Sequence, residues 1–257
     1  MKEYKIISWN VNGIRAIFKK GIDDFLLNTD PDILCFQEIK AEENQITELP
    51  KHLTTYYSVY SSAEKKGYSG TVTYSKNKPL FTKLGLEDDK FNTEGRVIES
   101  SFDKFTLFNI YFPNGQKDDT RLNFKLDFYT HLTDLIKTKI LNNEKIIIVG
   151  DFNTAYSEID LARPKENEKN SGFLPQERKA LKKLLQIGLI DSFRFFNKEG
   201  GNYTWWDPVT RARERNVGWR IDYIYISENL KKNLKNAFIL NEVYGSDHCP
   251  VGIELKF

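Results

Sequence analysis

"KIIIVGDFN", residues 145–153, passes from a lysine through four β-branched apolar residues and ends with an acid and an amide two positions apart. A short apolar run closed by a glycine reads as a strand. The segment before it has the other periodicity. Leu122, Leu126, Tyr129, Leu132, Ile136 and Ile140 fall near one face of a helix, and ahead of that helix stands another strand-like run, "FTLFNIYF" (105–112). Strand, helix and strand in succession predict an α/β protein.

Runs of the same kind recur outward from this unit: "KIISWNV" (5–11), "DILCFQE" (32–38), "SGTVTYS" (69–75), "RVIESSF" (96–102), "RIDYIYIS" (220–227) and "VGIELKF" (251–257). Asp103 and Lys104 separate two of them and predict a tight hairpin. A second helix is expected from Pro175 to Gly188, with Leu181, Leu184 and Leu185 on one face, and a third across "GIRAIFKKGIDDFLL". Hairpins combined with strand–helix alternation imply mixed sheets. No Pro-, Gly- or Ser-rich linker and no repeat divides the chain, so residues 1–257 are expected to form one domain. The irregular piece is 154–174, a polar stretch of a length that in compact domains is usually functional or disordered.

The 257 residues are enough to bury about three quarters of the unfolded surface. With 40% hydrophobic and 29% charged residues, and no apolar run near the ~20 needed to cross a bilayer, a soluble protein with no membrane role is expected. "MKEYKIISWN" lacks the layout of a secretion signal, which implies a cytoplasmic protein. Cys35 and Cys249 lie in or beside apolar runs and suit buried free thiols better than a disulfide. A net charge of +2 gives no dominating positive field, so any nucleic-acid reading must come from local patches.

Chemistry concentrates at the strand ends. "SWNVNG" places Asn10 and Asn12 at i and i+2, and "VGDFN" does the same with Asp151 and Asn153; on an extended chain each pair shares a face. Glu38 follows "ILCFQ", Tyr111 and Asn114 close "FTLFNIYFPN", Asp222 interrupts "WRIDYIYI", and Asp247-His248 precede the last strand. Each alone is an ordinary turn former. Together, acids within apolar runs need a cation or a donor. Carboxylates and amides suit a hard cation such as Mg²⁺, whereas no His or Cys cluster favours zinc. A hard cation, one histidine, and a mixture of Asp, Asn and Tyr meet the needs of phosphate-ester hydrolysis.

The motifs "ISWNVNGIRA", "LCFQEIK", "KKGYSGT", "IYFPNG", "GDFNTA", "EIDLARPKENEKNSGF", "NVGWRIDY" and "GSDHCPV", in this order and at these spacings, resemble the exonuclease III family of apurinic/apyrimidinic endonucleases over nearly the whole chain. The resemblance implies a four-layer α/β sandwich, two mixed β-sheets packed face to face with helices outside, and a Mg²⁺-dependent site at the strand ends, with Mn²⁺ as an alternative ion. It also implies cleavage on the 5′ side of an abasic site in double-stranded DNA, leaving a 3′-hydroxyl, with 3′–5′ exonuclease or 3′-phosphodiesterase activity on blocked ends. A nucleoid-associated monomer would fit that activity.

By the same resemblance Glu38 would be the principal metal carboxylate with Asn10 and Asn12 beside it, and Asp151, Asn153 and Asp247 would be further candidate ligands. Asp151 would orient or deprotonate the attacking water, Asn153 would hold phosphate or water, and Tyr111 would assist the leaving oxygen. Asp222 would accept from one ring nitrogen of His248 and aim the other at the phosphate, Asp247 would lie on the metal or leaving-group side, and Asp160 would support the site from nearby. Many relatives carry an acid where this chain has Asn12, which removes one negative charge near the cation. After Asn114 the chain reads "GQKDD", so Gln116 or Lys117 takes the place of an arginine found in some relatives.

"YTWWDPVTRARERNVGWR" (203–220) interleaves tryptophans with arginines. It reads either as an aromatic core segment beside a solvated loop or as a phosphate-contacting loop next to an apolar slot. The resemblance favours the second, with Trp205, Trp219 and Ile221 lining a pocket for a baseless deoxyribose and Arg211 and Arg213 on the DNA. Lys65, Lys66, Tyr68, Asn114, Lys117, Arg163, Asn167 and Asn170 would then touch the DNA backbone or its neighbourhood. Two other readings stand beside this one: a metal-dependent phosphodiesterase of the same fold acting on a non-DNA substrate, and a damage-binding protein without catalysis, which would be expected to lack Glu38, Asp151 or His248.

Overall fold

Every apolar run predicted as a strand is one. The computed structural model describes residues 2–257 and arranges them in two six-stranded sheets. In the first, the order across the sheet is Leu234–Ile239, Val251–Lys256, Glu3–Asn10, Ile33–Gln37, Thr71–Ser75 and Tyr57–Ser61; in the second it is Phe81–Leu84, Val97–Ser101, Thr106–Tyr111, Ile146–Asp151, Asp222–Ser227 and Leu189–Asp191. Each sheet has one parallel pair at its centre, Glu3–Asn10 with Ile33–Gln37 and Thr106–Tyr111 with Ile146–Asp151, and the remaining pairs are antiparallel. Both sheets are mixed, as the hairpins and the strand–helix alternation imply.

The layers follow from alternation along the strands. On Ile146–Asp151, Ile147 and Val149 pack between the sheets against Ile6, Ile33, Leu107, Ile224 and Ile253, while Ile146 and Ile148 face outward onto Phe128, Leu132 and Ile136 of helix Asp119–Leu141 and Leu181 and Leu184 of helix Pro175–Gln186. On the other side Ile7, Trp9, Leu34 and Phe36 receive Ile14, Ile17, Ile22 and Leu26. Helices, sheet, sheet and helices make the four layers. Removing one of these buried aliphatic side chains, Ile147→Ala for example, would cost about 2–5 kcal/mol.

The hairpin at Asp103-Lys104 forms, closed by Phe102 N–H donating to Phe105 O (2.8 Å). The third helix divides into Ile14–Lys20 and Asp23–Thr29, because Gly21 takes a φ of 80° that ends the first. The polar piece 154–174 is neither a bare loop nor unstructured: it holds a 3₁₀ turn, Glu158–Asp160, and a one-turn helix, Pro164–Asn167. Six strands were not expected: Tyr57–Ser61, Phe81–Leu84, Leu189–Asp191 and Leu234–Ile239, which are the four outer edges of the two sheets, and Trp205–Trp206 and Gly218–Trp219, which pair antiparallel as a separate two-stranded ribbon. Phe81 and Leu84 are about half exposed, so the apolar pattern there is weak. Cys35 and Cys249 are buried and unpaired, and burial pushes both thiols up. No described helix is long and apolar enough to cross a membrane.

Candidate active site

The two central parallel pairs point their C-terminal ends the same way, and in register. Asn10 pairs with Gln37, which delivers Glu38; Tyr111 pairs with Asp151. Asp222 begins its strand opposite Asp151, and Asp247-His248 come just before Val251–Lys256. Six strand ends from both sheets thereby converge. They form one wall of a cleft of about 790 Å³ lined by Asn12, Glu38, Tyr111, Asp151, Asn153, Asp247 and His248, with Trp205, Trp219 and Ile221 facing them.

The i, i+2 pairs do not lie along an extended chain. Asn12 (φ 47°) and Asn153 (φ 49°) are left-handed, and each donates its backbone N–H to the residue two before it: Asn12 to Asn10 Oδ1 (3.0 Å), Asn153 to Asp151 Oδ1 (2.8 Å). Both motifs are Asx-type turns, which Asn tolerates because its side chain suits the left-handed region. Glu38 and Lys40 are left-handed too, with φ 55° and 52°. Four non-glycine residues in this region within one site represent backbone strain, of the order of 1–3 kcal/mol each, that surrounding structure holds in place.

Asn10 Nδ2 bridges the sheets by donating to Glu38 Oε2 (3.1 Å) and Asp151 Oδ2 (2.9 Å). Tyr111 OH donates to Glu38 Oε2 (3.0 Å), and burial together with the charges of Glu38 and Asp151 holds the phenol well above its usual range. His248 Nδ1 meets Asp222 Oδ2 at 2.8 Å, and His248 Nε2 lies 3.9 Å from Asp151 Oδ2. Burial works to lower the imidazole, but the charges of Asp222 and Asp151 outweigh it and raise His248 to about 10. Burial, then the charge of Asp222, lifts Asp151 to about 7. Asp247 points the other way from His248, accepting from Asn12 Nδ2 (3.0 Å) and Trp205 Nε1 (3.0 Å). Burial would raise Asp247, yet the neighbouring His248 and these donors keep it below its usual value.

Lys40 shows where a cation fits. Its Nζ lies 2.8 Å from Glu38 Oε1 and 2.5 Å from Asn12 Oδ1, oxygens on the solvent side of the cluster. An all-oxygen set of carboxylate and amide groups matches the preferences of Mg²⁺ or Mn²⁺. Asp151, Asp222 and His248 also lie close enough to share an ion, but there Nδ1 of His248 is already committed to Asp222. Lys40 was not anticipated, although its place two residues after Glu38 in "QEIK" carried the signal.

Asp160 lies behind the site, buried and paired with Arg194 (2.7 Å) and Arg220 (2.8 Å), and so fixes the residue next to Ile221 and Asp222. Two positioning residues escaped the sequence reading. Thr204 Oγ1 accepts from the backbone N–H groups of both Ile221 and Asp222 (3.1 Å each). Arg96, buried at the head of its strand, donates to Tyr111 O (2.8 Å) and stacks on the Tyr111 ring.

Of the residues expected on DNA, Asn114, Arg163, Asn167, Asn170, Trp205, Trp219 and Ile221 line the cleft, and Gln116 does as well. Lys65, Lys66, Lys117 and Arg211 are exposed outside its lining. Tyr68 is also outside it; its hydroxyl accepts from Arg121 Nη2 (3.2 Å), and Lys65 lies over its ring. Arg213 departs from the expectation. Its guanidinium donates to Asn241 O (2.5 Å) and Val243 O (2.8 Å) and is sandwiched by Trp206 and Tyr244, so it holds the loop to the segment before Asp247 and is not free for phosphate.

Comparison with known proteins agrees with this layout. The model of the endonuclease/exonuclease/phosphatase family matches residues 7–248, from the first strand to the histidine. An exodeoxyribonuclease of Bacillus subtilis is 40% identical over 96% of this chain and 97% of its own length, and the DNA repair nuclease APEX1 of Danio rerio is 40% identical over 98% of this chain and 82% of its own. Among solved structures, a 3′ phosphatase from Neisseria bound to a product DNA hairpin superposes with a TM-score of 0.91 at 28% identity, covering 99% of this chain and all of its own, and an AP endonuclease from Archaeoglobus fulgidus with 0.89 at 28%, with the same coverage. The chain belongs to the endonuclease/exonuclease/phosphatase family.

Proposed function

We propose that this protein is a DNA repair nuclease that hydrolyses the phosphodiester 5′ to an abasic site in double-stranded DNA, leaving a 3′-hydroxyl, and that it also processes 3′-blocked ends. The observation that carries this reading is the sharing of one cleft by the Asp222–His248–Asp151 cluster and an apolar wall of Trp205, Trp219 and Ile221. A hydrolytic centre beside an apolar, tryptophan-lined wall suits a nucleotide turned out of the helix, which costs least where the base is missing. The relatives' names and the Neisseria phosphatase support the same reading.

Asp151, with a value near neutrality, is an effective acceptor for a proton from water. His248, held charged by Asp222, offers an N–H to a phosphate oxygen as negative charge grows there. Tyr111 can donate to the same group, and Asn153 can hold phosphate or water through its side chain. Glu38, Asn12 and Asp247, with Asn10 behind them, would hold Mg²⁺ or Mn²⁺, which when bound would neutralise charge on the phosphate and leaving oxygens. Asn114, Asn167, Asn170 and Arg163 would contact the DNA backbone from the rim. The protein would act as a monomer.

Incubating the protein with end-labelled duplexes carrying an abasic site, uracil, an oxidised base, a 3′-phosphate or an RNA strand, each with Mg²⁺ and with chelator, tests this. Incision at the abasic site that chelator abolishes is expected. Hydrolysis of soluble phosphodiesters in preference to all of the duplexes would overturn it.

A further inference from the structure

Behind the cleft lies an ion pair that the chemistry described above does not use. Lys125, on helix Asp119–Leu141, and Glu177, in the first turn of helix Pro175–Gln186, have fully buried side chains with Nζ 2.6 Å from Oε1. Burying two charges is expensive, and a well-packed apolar pair would often serve stability as well. Their further contacts suggest why charges stand here.

Lys125 Nζ also donates to Asn153 O (2.6 Å), the backbone carbonyl of the left-handed residue that closes the Asp151 turn. Glu177 Oε2 accepts from the backbone N–H groups of Gly172 (2.6 Å) and Leu174 (3.1 Å), and Oε1 accepts from Ser171 Oγ (2.9 Å). Gly172 lies against the Trp219 ring and Asn153 O: a Cβ there would come within 3.2 Å of the indole and 3.3 Å of the carbonyl. Ala155 N–H in turn donates to Gly172 O (2.8 Å). One ammonium group thus touches the catalytic turn and, through one carboxylate, the wall of the cleft that backs Trp219.

We propose that Lys125 and Glu177 are positioning residues that set the distance between the Asp151–Asn153 turn and the wall formed by residues 170–174, so that a sugar seated against Trp219 presents its phosphate to Asp151. The inference rests on the abasic-site reading above. Misplacing reacting groups by about an ångström can cost on the order of 10²-fold in rate. The pair acts on geometry, so its loss is read in turnover and not in DNA affinity.

Lys125→Met is expected to lower kcat on an abasic duplex by about 10-fold or more with KM changed less than about 2-fold, and Lys125→Arg, which keeps the charge and the donors, to restore most of it. Because Lys125→Met leaves Glu177 unpaired and can unfold the protein, the double variant Lys125→Met/Glu177→Gln is measured beside it: it removes both charges, keeps an acceptor for Gly172 and Leu174, and breaks the link to Asn153. Hydrogen exchange supplies a readout independent of substrate. Faster exchange in both 151–155 and 170–174, with the rest of the protein unchanged, is expected of the double variant. A double variant with wild-type kcat, or with loosening confined to the two helices, overturns the proposal. Should the wild type itself fail to incise abasic DNA, the nuclease reading falls, and the exchange result alone decides whether the pair joins turn to wall.

Discussion

Asp222 Oδ2 and His248 Nδ1 lie 2.8 Å apart, joining two buried side chains that 26 residues of sequence separate. The negative charge of Asp222 raises two groups at once: His248 to about 10, against burial, and Asp151 to about 7, along with burial. Activity should therefore rise through pH 7 as Asp151 loses its proton and fall near pH 10 as His248 loses its own. Asp222→Asn removes the shared cause, and both limbs of the kcat/KM profile on abasic DNA are expected to move to lower pH. A profile with unmoved limbs would assign them to other groups. Stability has its own sign: the charged His248 contributes fully below its free value of 6.5, and that contribution fades as pH rises through about 10.

Asp151→Asn keeps the shape of the turn, since an amide oxygen can still accept from Asn153 N–H, but cannot take a proton. The rate on abasic DNA is expected to fall on the order of 10²–10⁴-fold with DNA binding retained. Single-turnover cleavage and a binding titration measure the two separately; near-normal turnover would remove Asp151 from proton transfer.

For Trp219→Ala the expectation concerns choice of substrate. The indole packs edge-on against Trp205 and Phe173 and closes the apolar wall, so its loss opens the slot to bulkier nucleotides. Preference for abasic over intact duplex should shrink, read as a ratio of kcat/KM values. An unchanged ratio would place discrimination elsewhere.

Much of the site could be read from the sequence because it is built at strand ends, and strands with strong apolar runs declare where they stop. Asn10, Glu38, Tyr111, Asp151 and Asp222 are all placed this way. What could not be read depends on local conformation or on distant partners. Asn12 and Asn153 look extended by spacing, but each turns back on an acceptor two residues earlier, which periodicity does not reveal. The four edge strands have one unpaired side and weak apolar pattern, so only their neighbours identify them. Lys125 looks like a solvated lysine on a helix until Glu177, 52 residues away, is packed against it.

The cation position yields a metal prediction. Lys40 already bridges Glu38 and Asn12, and one carboxylate in place of the Asn12 amide would add a negative charge there. Asn12→Asp should tighten Mg²⁺ binding by about 2 kcal/mol, roughly 30-fold, the Coulomb energy of one added negative charge ~4 Å from a divalent cation in a well-solvated site. Calorimetric titration of the DNA-free protein checks this, and unchanged or weaker binding would show that Asn12 does not face the ion.

Two arginines of one loop should behave differently. Arg211 is exposed, whereas Arg213 is locked between Trp206 and Tyr244 with two backbone carbonyls as acceptors. If Arg211 meets a phosphate, Arg211→Ala should reduce the slope of log Kd against log salt by about 1 and leave stability alone. Arg213→Ala should leave that slope unchanged and cost about 2 kcal/mol of stability through its lost charged hydrogen bonds, a fall of roughly 4–8 °C in Tm for a chain of this size. Binding titrations across a salt series and thermal melts of both variants separate the two roles. A reduced salt slope for Arg213→Ala, with Tm unmoved, would mean that the guanidinium leaves its sandwich to reach the DNA.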